Sequence, residues 1–256
     1  MKFNLNKVEF SKNDLRKGIK IPTKLTKELA HFIGIHMGDG HLSKRKNGYR
    51  ICYSGHWINE LNWYQNYLFV LIKNLFNKEV GPVKGHDCVQ ININSKAIHF
   101  FFSKVCDLPV GSKSNCDFLK FIKNGYLSIK KAFLRGFADT DFSLVFKNRH
   151  KNINYYPVID CAISNKVLRD SLVNLIESIG FKVYSNERLR KRKNKVNASY
   201  YFQINGVKAI EKWMKEVGFT SYNQLTKYWL WKKQGFVPSK TNINYRLEVL
   251  KISLIK

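Results

Sequence analysis

The chain has 256 residues, 44% of them hydrophobic and 14% aromatic, and a formal net charge of +27 from 45 Lys and Arg against 18 Asp and Glu. That length suits one large domain or two of about 100–150 residues with genuine cores, and the apolar content excludes a disordered polyelectrolyte. A cationic surplus of this size repels itself and points to a polyanionic partner, nucleic acid first. No apolar run approaches the roughly 18–20 residues of a membrane span and no signal-peptide core opens the chain, so a soluble, intracellular, cytoplasmic protein with no membrane partner is expected.

The first 22 residues are polar and lysine-rich and form an N-terminal extension. An apolar periodic run then predicts a helix over 26–38, capped by Thr23 or Thr26 and stopped by Gly38-Asp39-Gly40. The Asn47-Gly48 dipeptide between two strand-like runs predicts a hairpin. A helix over 57–77 closes at Gly81-Pro82, a second hairpin turns at Gly85-His86-Asp87, and a helix covers 95–106. The same order then recurs: a helix over 127–140, strands near 142–148 and 155–163, a helix over 165–179, strands near 181–190 and 199–205, and a helix over 207–217. These elements divide the chain into an extension (1–22), a first unit (23–120), a second unit (121–236) and a C-terminal tail (237–256). The fold class is α+β, with two pseudo-symmetric units that each carry four antiparallel strands with helices on one face.

The repeat is visible in residues as well as in element order. Phe-Ile-Gly-Ile-His-Met-Gly-Asp-Gly at 32–40 and Leu-Arg-Gly-Phe-Ala-Asp-Thr-Asp-Phe at 134–142 place Asp39 and Asp141 the same distance apart as Gly34 and Gly136, 141 − 39 = 102 residues. Residues 88–98 echo 201–210, where Lys208 follows Lys96 by 112, so extra residues enter before the second echo, most simply in the basic tract Arg188–Lys195. Small residues stand four apart in both copies, Gly34 with Gly38 and Gly136 with Thr140. Two such helices can meet backbone to backbone and bring their final acids together, as a divalent-metal site at a pseudo-two-fold axis requires. An aspartate at a helix C-terminus opposes the macrodipole by roughly 0.3–1 kcal/mol, and doing so twice at matched positions suggests a purpose.

Strand alternation separates an apolar face from an open one. Val89, Ile91 and Ile93 oppose Gln90, Asn92 and Asn94; Phe202 and Ile204 oppose Tyr201, Gln203 and Asn205; Lys182, Tyr184, Asn186, Arg188 and Arg190 share one side. Amides and guanidiniums on such a face are the groups that read base edges in the major groove, Arg favouring guanine and Asn or Gln favouring adenine. Lys44, Arg45, Arg50, Lys84 and Lys147 join them as candidate DNA contacts.

In these residues the chain resembles the LAGLIDADG homing endonucleases of the single-chain, two-motif type, over roughly residues 22–236. The stretch 217–236 is similar to the closing segment of archaeal members. The resemblance implies a monomeric saddle of two αββαββα units with its sheets facing double-stranded DNA. It implies that Asp39 and Asp141 bind Mg²⁺, with Mn²⁺ as a substitute, beside the neighbouring Gly38 and Thr140. The metals would hydrolyse phosphodiesters of both strands across the minor groove, leaving short 3′ overhangs. It also implies a lysine after the third helix of each half, for which Lys113 and Lys227 are the matches, to neutralise charge on the phosphate in the transition state.

The chain departs from the motif at its sixth position, Met37 in one copy and Asp139 in the other, and at its ninth, where Gly40 is matched by Phe142. Because phenylalanine resists a positive φ, the second half-site is expected to be less well shaped, consistent with a nicking enzyme or a degenerate binder. Asp139, two positions back on its helix, is expected to point away from the site. His36, Asp39 and His41 lack metal-helix spacing and read as core or surface residues, and no phosphate-binding G-x-x-x-x-G-K-[ST] occurs. Five cysteines (52, 88, 106, 116, 161) without C-x-x-C spacing read as mostly buried thiols. A nucleophilic first residue and a His-Asn end are missing, so the chain is expected to be freestanding rather than an intein, encoded within an intron. The alternative from another class is a nucleic-acid-binding protein on the same scaffold, an intron-RNA maturase or a transcription regulator.

Overall fold

Helix α2 (Lys27–Asp39) and helix α7 (Leu127–Asp141) form the axis of the molecule. Thr26 starts α2 by accepting a hydrogen bond from Leu29 N at 3.2 Å. The two cross at Gly34 and Gly136. A methyl group on Gly34 would overlap the Phe133 carbonyl oxygen and stand 2.7 Å from Phe137 N; one on Gly136 would overlap the His31 carbonyl oxygen and stand 2.8 Å from its carbonyl carbon. No other residue type permits this approach. The computed structural model describes residues 1–46, 48–113, 120–192 and 195–253, and only the backbone of 190–192 and 195–197. Asn47, Cys116, the Arg190 side chain and part of the basic tract named above therefore lie outside the described residues.

Each motif helix runs into a four-stranded antiparallel sheet. In the first unit β1 (His41–Arg45), β2 (Gly48–His56), β3 (Val83–Lys84) and β4 (Cys88–Asn94) are ordered β1-β2-β4-β3. In the second, β5 (Phe142–Lys147), β6 (Tyr156–Ile163), β7 (Tyr184–Arg192) and β8 (Lys195–Asn205) are ordered β5-β6-β8-β7. The registers correspond: His41 pairs with Cys52 and Cys52 with Asn92, as Ser143 pairs with Asp160 and Asp160 with Gln203. Ile51, Tyr53, Val89, Ile91 and Ile93 are buried under helices on one face, as are Leu144, Ile159, Cys161, Phe202 and Ile204 in the second unit. The expected one-sided cover is what is observed.

The predicted helix over 57–77 is continuous but not uniform: α3 (Trp57–Trp63) passes through a π-helical turn (Tyr64–Leu68) into α4 (Phe69–Phe76). That of 95–106 likewise divides into α5 (Lys96–Phe100) and a π-helical turn (Phe101–Val105). The second unit adds α8 (Lys166–Ser178) and α9 (Val207–Glu216).

Four helices fall where sequence patterning gave none. The extension contains α1 (Lys12–Arg16), whose Ser11 and Asp14 form a capping box. The buried Asp14 carboxylate also accepts from Lys96 N and Ala97 N, 3.2 Å each, and so ties α1 to the start of α5. Helix α6 (Lys120–Lys123) precedes α7; α10 (Tyr222–Gln234) and α11 (Ile243–Leu250) close the chain. These last two fasten the second unit to the first, with Trp63 Nε1 donating to Thr220 Oγ1 at 3.0 Å and Ile243 N to Asn59 Oδ1 at 3.2 Å. Of the cysteines, Cys106 and Cys161 are buried, whereas Cys52 and Cys88 are half-buried because their strands carry them toward the open face and the sheet margin. Among the described residues no helix is long and apolar enough to cross a membrane.

Candidate DNA-facing metal site

Asp39 closes α2 and Asp141 closes α7, and the glycine crossing sets these two helix ends side by side. The Asp141 carboxylate lies directly against Gly38, since a methyl group there would overlap both Thr140 Oγ1 and Asp141 Oδ2. Both acids are half-buried. Burial, with the charges of Asp141 and Glu60 adding to it, pushes Asp39 up to about 8 against an opposing pull from Lys113. Asp141 is likewise raised by burial, opposed by Lys113 and by the Thr140 hydroxyl, which donates to it at 3.3 Å. Acids gathered and desolvated in this way hold protons, and a hard divalent cation competes for the same oxygens.

The donor set suits Mg²⁺ or Mn²⁺. Carboxylate oxygens are hard ligands; the site offers two carboxylates, and no third His, Cys, Asp or Glu among the described residues joins them in a group that could hold a metal ion. A cation here would be held by the two carboxylates with water completing its shell, the mode Mg²⁺ favours. The Gly38 carbonyl accepts from Lys113, and the Thr140 hydroxyl donates to Phe137 O at 3.0 Å, so both neighbouring groups are already oriented by bonds within the chain.

A pH dependence follows. Because Asp39 titrates near 8 rather than 3.8, the folded protein retains a proton that the unfolded chain has lost, and metal-free stability falls as pH rises from about 4 through about 8. Cation affinity moves the opposite way, expected to rise on the order of tenfold per pH unit below about 8. Mg²⁺ titrations followed by thermal shift at pH 6, 7 and 8 check this; an affinity independent of pH would contradict it.

The two predicted lysines are not equivalent. Lys113 Nζ donates to the carbonyls of Met37 at 2.9 Å and His36 at 3.4 Å and to that of Gly38, so it caps the C-terminus of α2 and offsets the dipole that Asp39 opposes. Its own carbonyl accepts from Asn165 Nδ2 at 3.1 Å. Lys227, on α10, lies 3.4 Å from Gln224 Oε1 and faces Glu60; burial and Arg246 lower it to about 8. Glu60, half-buried at the first turn of α3, accepts from His56 N at 2.5 Å and is raised by burial. Its charge reaches both Lys227 and Asp39, an acid that no spacing in the sequence marks.

The expectation for Phe142 is corrected by the backbone. Gly40 has φ −72° and ψ 145°, and Phe142 has φ −92° and ψ 147°, the same extended conformation, so neither position demands glycine for its φ. Glycine is needed at 40 because His36 crowds it, whereas the matching residue below Phe142 is the small Ala138. His36 itself is core: its Nδ1 lies 2.9 Å from Tyr53 Oη and its ring stacks on Phe102 at 4.8 Å. Asp139 turns away from the acids as expected and accepts from Thr220 N at 2.7 Å, Thr220 Oγ1 at 2.6 Å and Ser221 N at 2.8 Å.

On the open faces the structure groups most of the predicted contacts. Arg50 Nε donates to Asn92 Oδ1 at 2.7 Å, with Arg45 and Asn94 lining the same cleft. In the second unit Lys147 Nζ donates to Gln203 Oε1 at 3.1 Å, and Gln203 Nε2 to Asp160 Oδ1 at 2.9 Å. Tyr184, Asn186 and Arg188 line that cavity, with Arg188 over the Tyr201 ring at 5.2 Å. Gln90 pairs across with Ser54 on the open side, whereas Asn205 pairs with the fully buried Val158 and its own Oδ1 is buried. Three further predicted contacts sit differently. Lys44 pairs with Tyr49, whose register puts it on the helix-covered side. Lys84 pairs with Val89 and lies over the Trp57 ring at 5.2 Å, also on that side. Lys182 precedes β7 and covers Tyr184. Asp160 carries no signal in the sequence, because one acid in a strand has no pattern of its own.

The arrangement is similar to that of solved homing endonucleases. I-DmoI in complex with DNA and Mn superposes with a TM-score of 0.52 at 15% identity, over 76% of this chain and 98% of that one. I-DmoI with DNA and Ca gives 0.50 at 14% identity, over 75% and 90%. The chain has the LAGLIDADG homing-endonuclease fold. No family model matches the sequence, and no curated protein matches it. In the LAGLIDADG fold of this chain the acids of the two units differ in their surroundings: Asp39 feels the charge of Glu60, whereas Asp141 accepts from the Thr140 hydroxyl.

Proposed function

We propose that this protein is a site-specific, divalent-metal-dependent DNA endonuclease that acts as a monomer and cuts double-stranded DNA, with Asp39 and Asp141 as its metal ligands. The observation that carries the reading is the convergence of these two acids at the crossing of α2 and α7, between two open sheet faces bearing amides and guanidiniums. The +27 charge supplies the affinity for the phosphate backbone. Mg²⁺, when bound, stabilises charge on the phosphate oxygens and makes water nucleophilic at neutral pH.

The chain's own residues prepare that chemistry. The two carboxylates fix the position at which a phosphate is met, midway between the sheets. Lys113, restrained by the carbonyls at the end of α2, adds fixed positive charge beside both acids. Fixed charge costs no reorganisation as the transition state forms. Lys227, 3.4 Å from Gln224 Oε1 and within electrostatic reach of Glu60, adds positive charge from the second unit. Nothing in the site favours the maturase or regulator reading, which has no use for a half-buried pair of acids.

The test is a duplex selected by the protein from a randomised pool, incubated with and without Mg²⁺. Double-strand cleavage that Mg²⁺ restores after chelation is expected; binding without cleavage in any of Mg²⁺, Mn²⁺ or Ca²⁺ would overturn the enzymatic reading.

A further inference from the structure

The N-terminal extension does more than precede the first unit. It folds back beside the first sheet, with Ile19 buried in the core, Lys20 N donating to Phe76 O at 3.0 Å, and Phe3 edge-on to Phe101 at 5.3 Å. The buried Asp14 then sets α1 against the start of α5. Between α1 and the tip of the β1–β2 hairpin lies a cleft of about 730 Å³, lined by Ser11 and Asn13 on one side and by Arg45, Arg50, Asn94 and Lys96 among those on the other.

Three features define what fits there. Position is the first: β1 leaves the motif at His41 and reaches Arg45 at the hairpin tip, so the cleft sits at the end of the open face remote from Asp39. Chemistry is the second: by residue type the lining is polar or basic except for Gly48 and Tyr49, with side-chain stems and the Tyr49 ring supplying its apolar surface. Charge is the third. Arg45, Arg50 and Lys96 face the cleft, Arg16 is held at its margin by donating to Asn13 Oδ1 at 3.0 Å, and the acids that answer them are Glu9, 2.5 Å from Lys96, and the buried Asp14, which accepts from Lys96 N. Hydroxyls, amides and guanidiniums fixed on two walls are the groups that position a nucleic-acid backbone. In the second unit the residues matching Arg50 and Asn94 are Val158, which is buried, and Asn205; the cavity on that sheet, about 390 Å³, includes neither, is lined by strand residues alone and includes Asp160.

We propose that this cleft seats the phosphate backbone of duplex DNA beyond the bases that the first sheet covers, so that α1 lengthens the contact on one side of the target only. The inference rests on the DNA-binding reading above. It makes the footprint asymmetric about the Asp39–Asp141 centre, longer toward the first unit.

A duplex of 40 base pairs selected from a randomised pool, and versions shortened stepwise from each end, test it by equilibrium binding at several salt concentrations. For the wild type, shortening one end is expected to weaken binding before shortening the other does. An Asn13→Ala/Arg16→Ala protein, which keeps Ser11 and Asp14 and so keeps the helix docked, should bind several-fold more weakly. Its log–log salt slope should be smaller by roughly 1, and it should lose the sensitivity to that one end. Unchanged affinity, slope and length dependence in this variant would overturn the role of α1 while leaving the DNA reading intact. A wild type that binds no duplex would refute the DNA reading itself.

Discussion

Asp39→Asn and Asp141→Asn proteins are expected to bind the selected duplex within a few-fold of wild type and to cut it on the order of 10²–10³-fold more slowly or worse. Asparagine keeps the shape of the side chain at the end of each motif helix and removes only the charge that a cation needs. The position of Asp39 allows a second readout without substrate. Since burial and the charges of Asp141 and Glu60 raise it to about 8, its ionisation opposes folding near that pH. Asp39→Asn should therefore raise the metal-free Tm at pH 8 and abolish the further rise that Mg²⁺ produces. Loss of activity with a lowered Tm would mean a folding defect instead, and wild-type cleavage by both variants would refute the site.

Gly136→Ala is expected to destabilise the protein by about 3 kcal/mol or more, although alanine is the better helix former by roughly 1 kcal/mol. The two effects have opposite signs and the steric one prevails. The new methyl group overlaps the His31 carbonyl oxygen and comes within 3.0 Å of Ile35 N, both backbone atoms of the partner helix. No rotamer relieves a clash with backbone, so α2 and α7 must part. At roughly 2–4 °C per kcal/mol for a chain of this size, the Tm should fall by about 6–12 °C. Urea unfolding checks the sign, and a Tm equal to or above wild type would show that the crossing yields easily. Gly34→Ala meets Phe133 and Phe137 backbone and should behave alike, whereas Gly81→Ala, with nothing within 4 Å of the added carbon, should not.

The parts legible in the sequence are those whose physics is local or repeated. Gly34, Gly136, Asp39 and Asp141 announce themselves by matched spacing, and their strands by the alternation of Val89-Gln90-Ile91-Asn92 and its echo at 202–205. Helix α1 carries a local signal, the Ser11–Asp14 capping box, but its polar surface and five residues give no apolar period, and tertiary hydrogen bonds from α5 hold it in place. Glu60 and Asp160 have no signal at all, since their proximity to Asp39 and Gln203 is made by the chain returning over long distances. Register, which alternation alone does not set, turns Lys44 and Lys84 to the helix side. The meaning of Phe142 was hidden for a related reason: whether glycine is obligatory after the motif depends on the residue one helical turn earlier, His36 or Ala138, and not on the backbone conformation.

The matched registers of the two sheets hold different residues at equivalent points: Cys52 and Asn92 in one, Asp160 and Gln203 in the other. A homodimer must present the same chemistry twice and is bound to inverted-repeat targets. Here each half can drift by substitution without altering its twin. The favoured target should therefore lack palindromic symmetry, and a base change in one arm should be answerable by replacements confined to the unit that touches it.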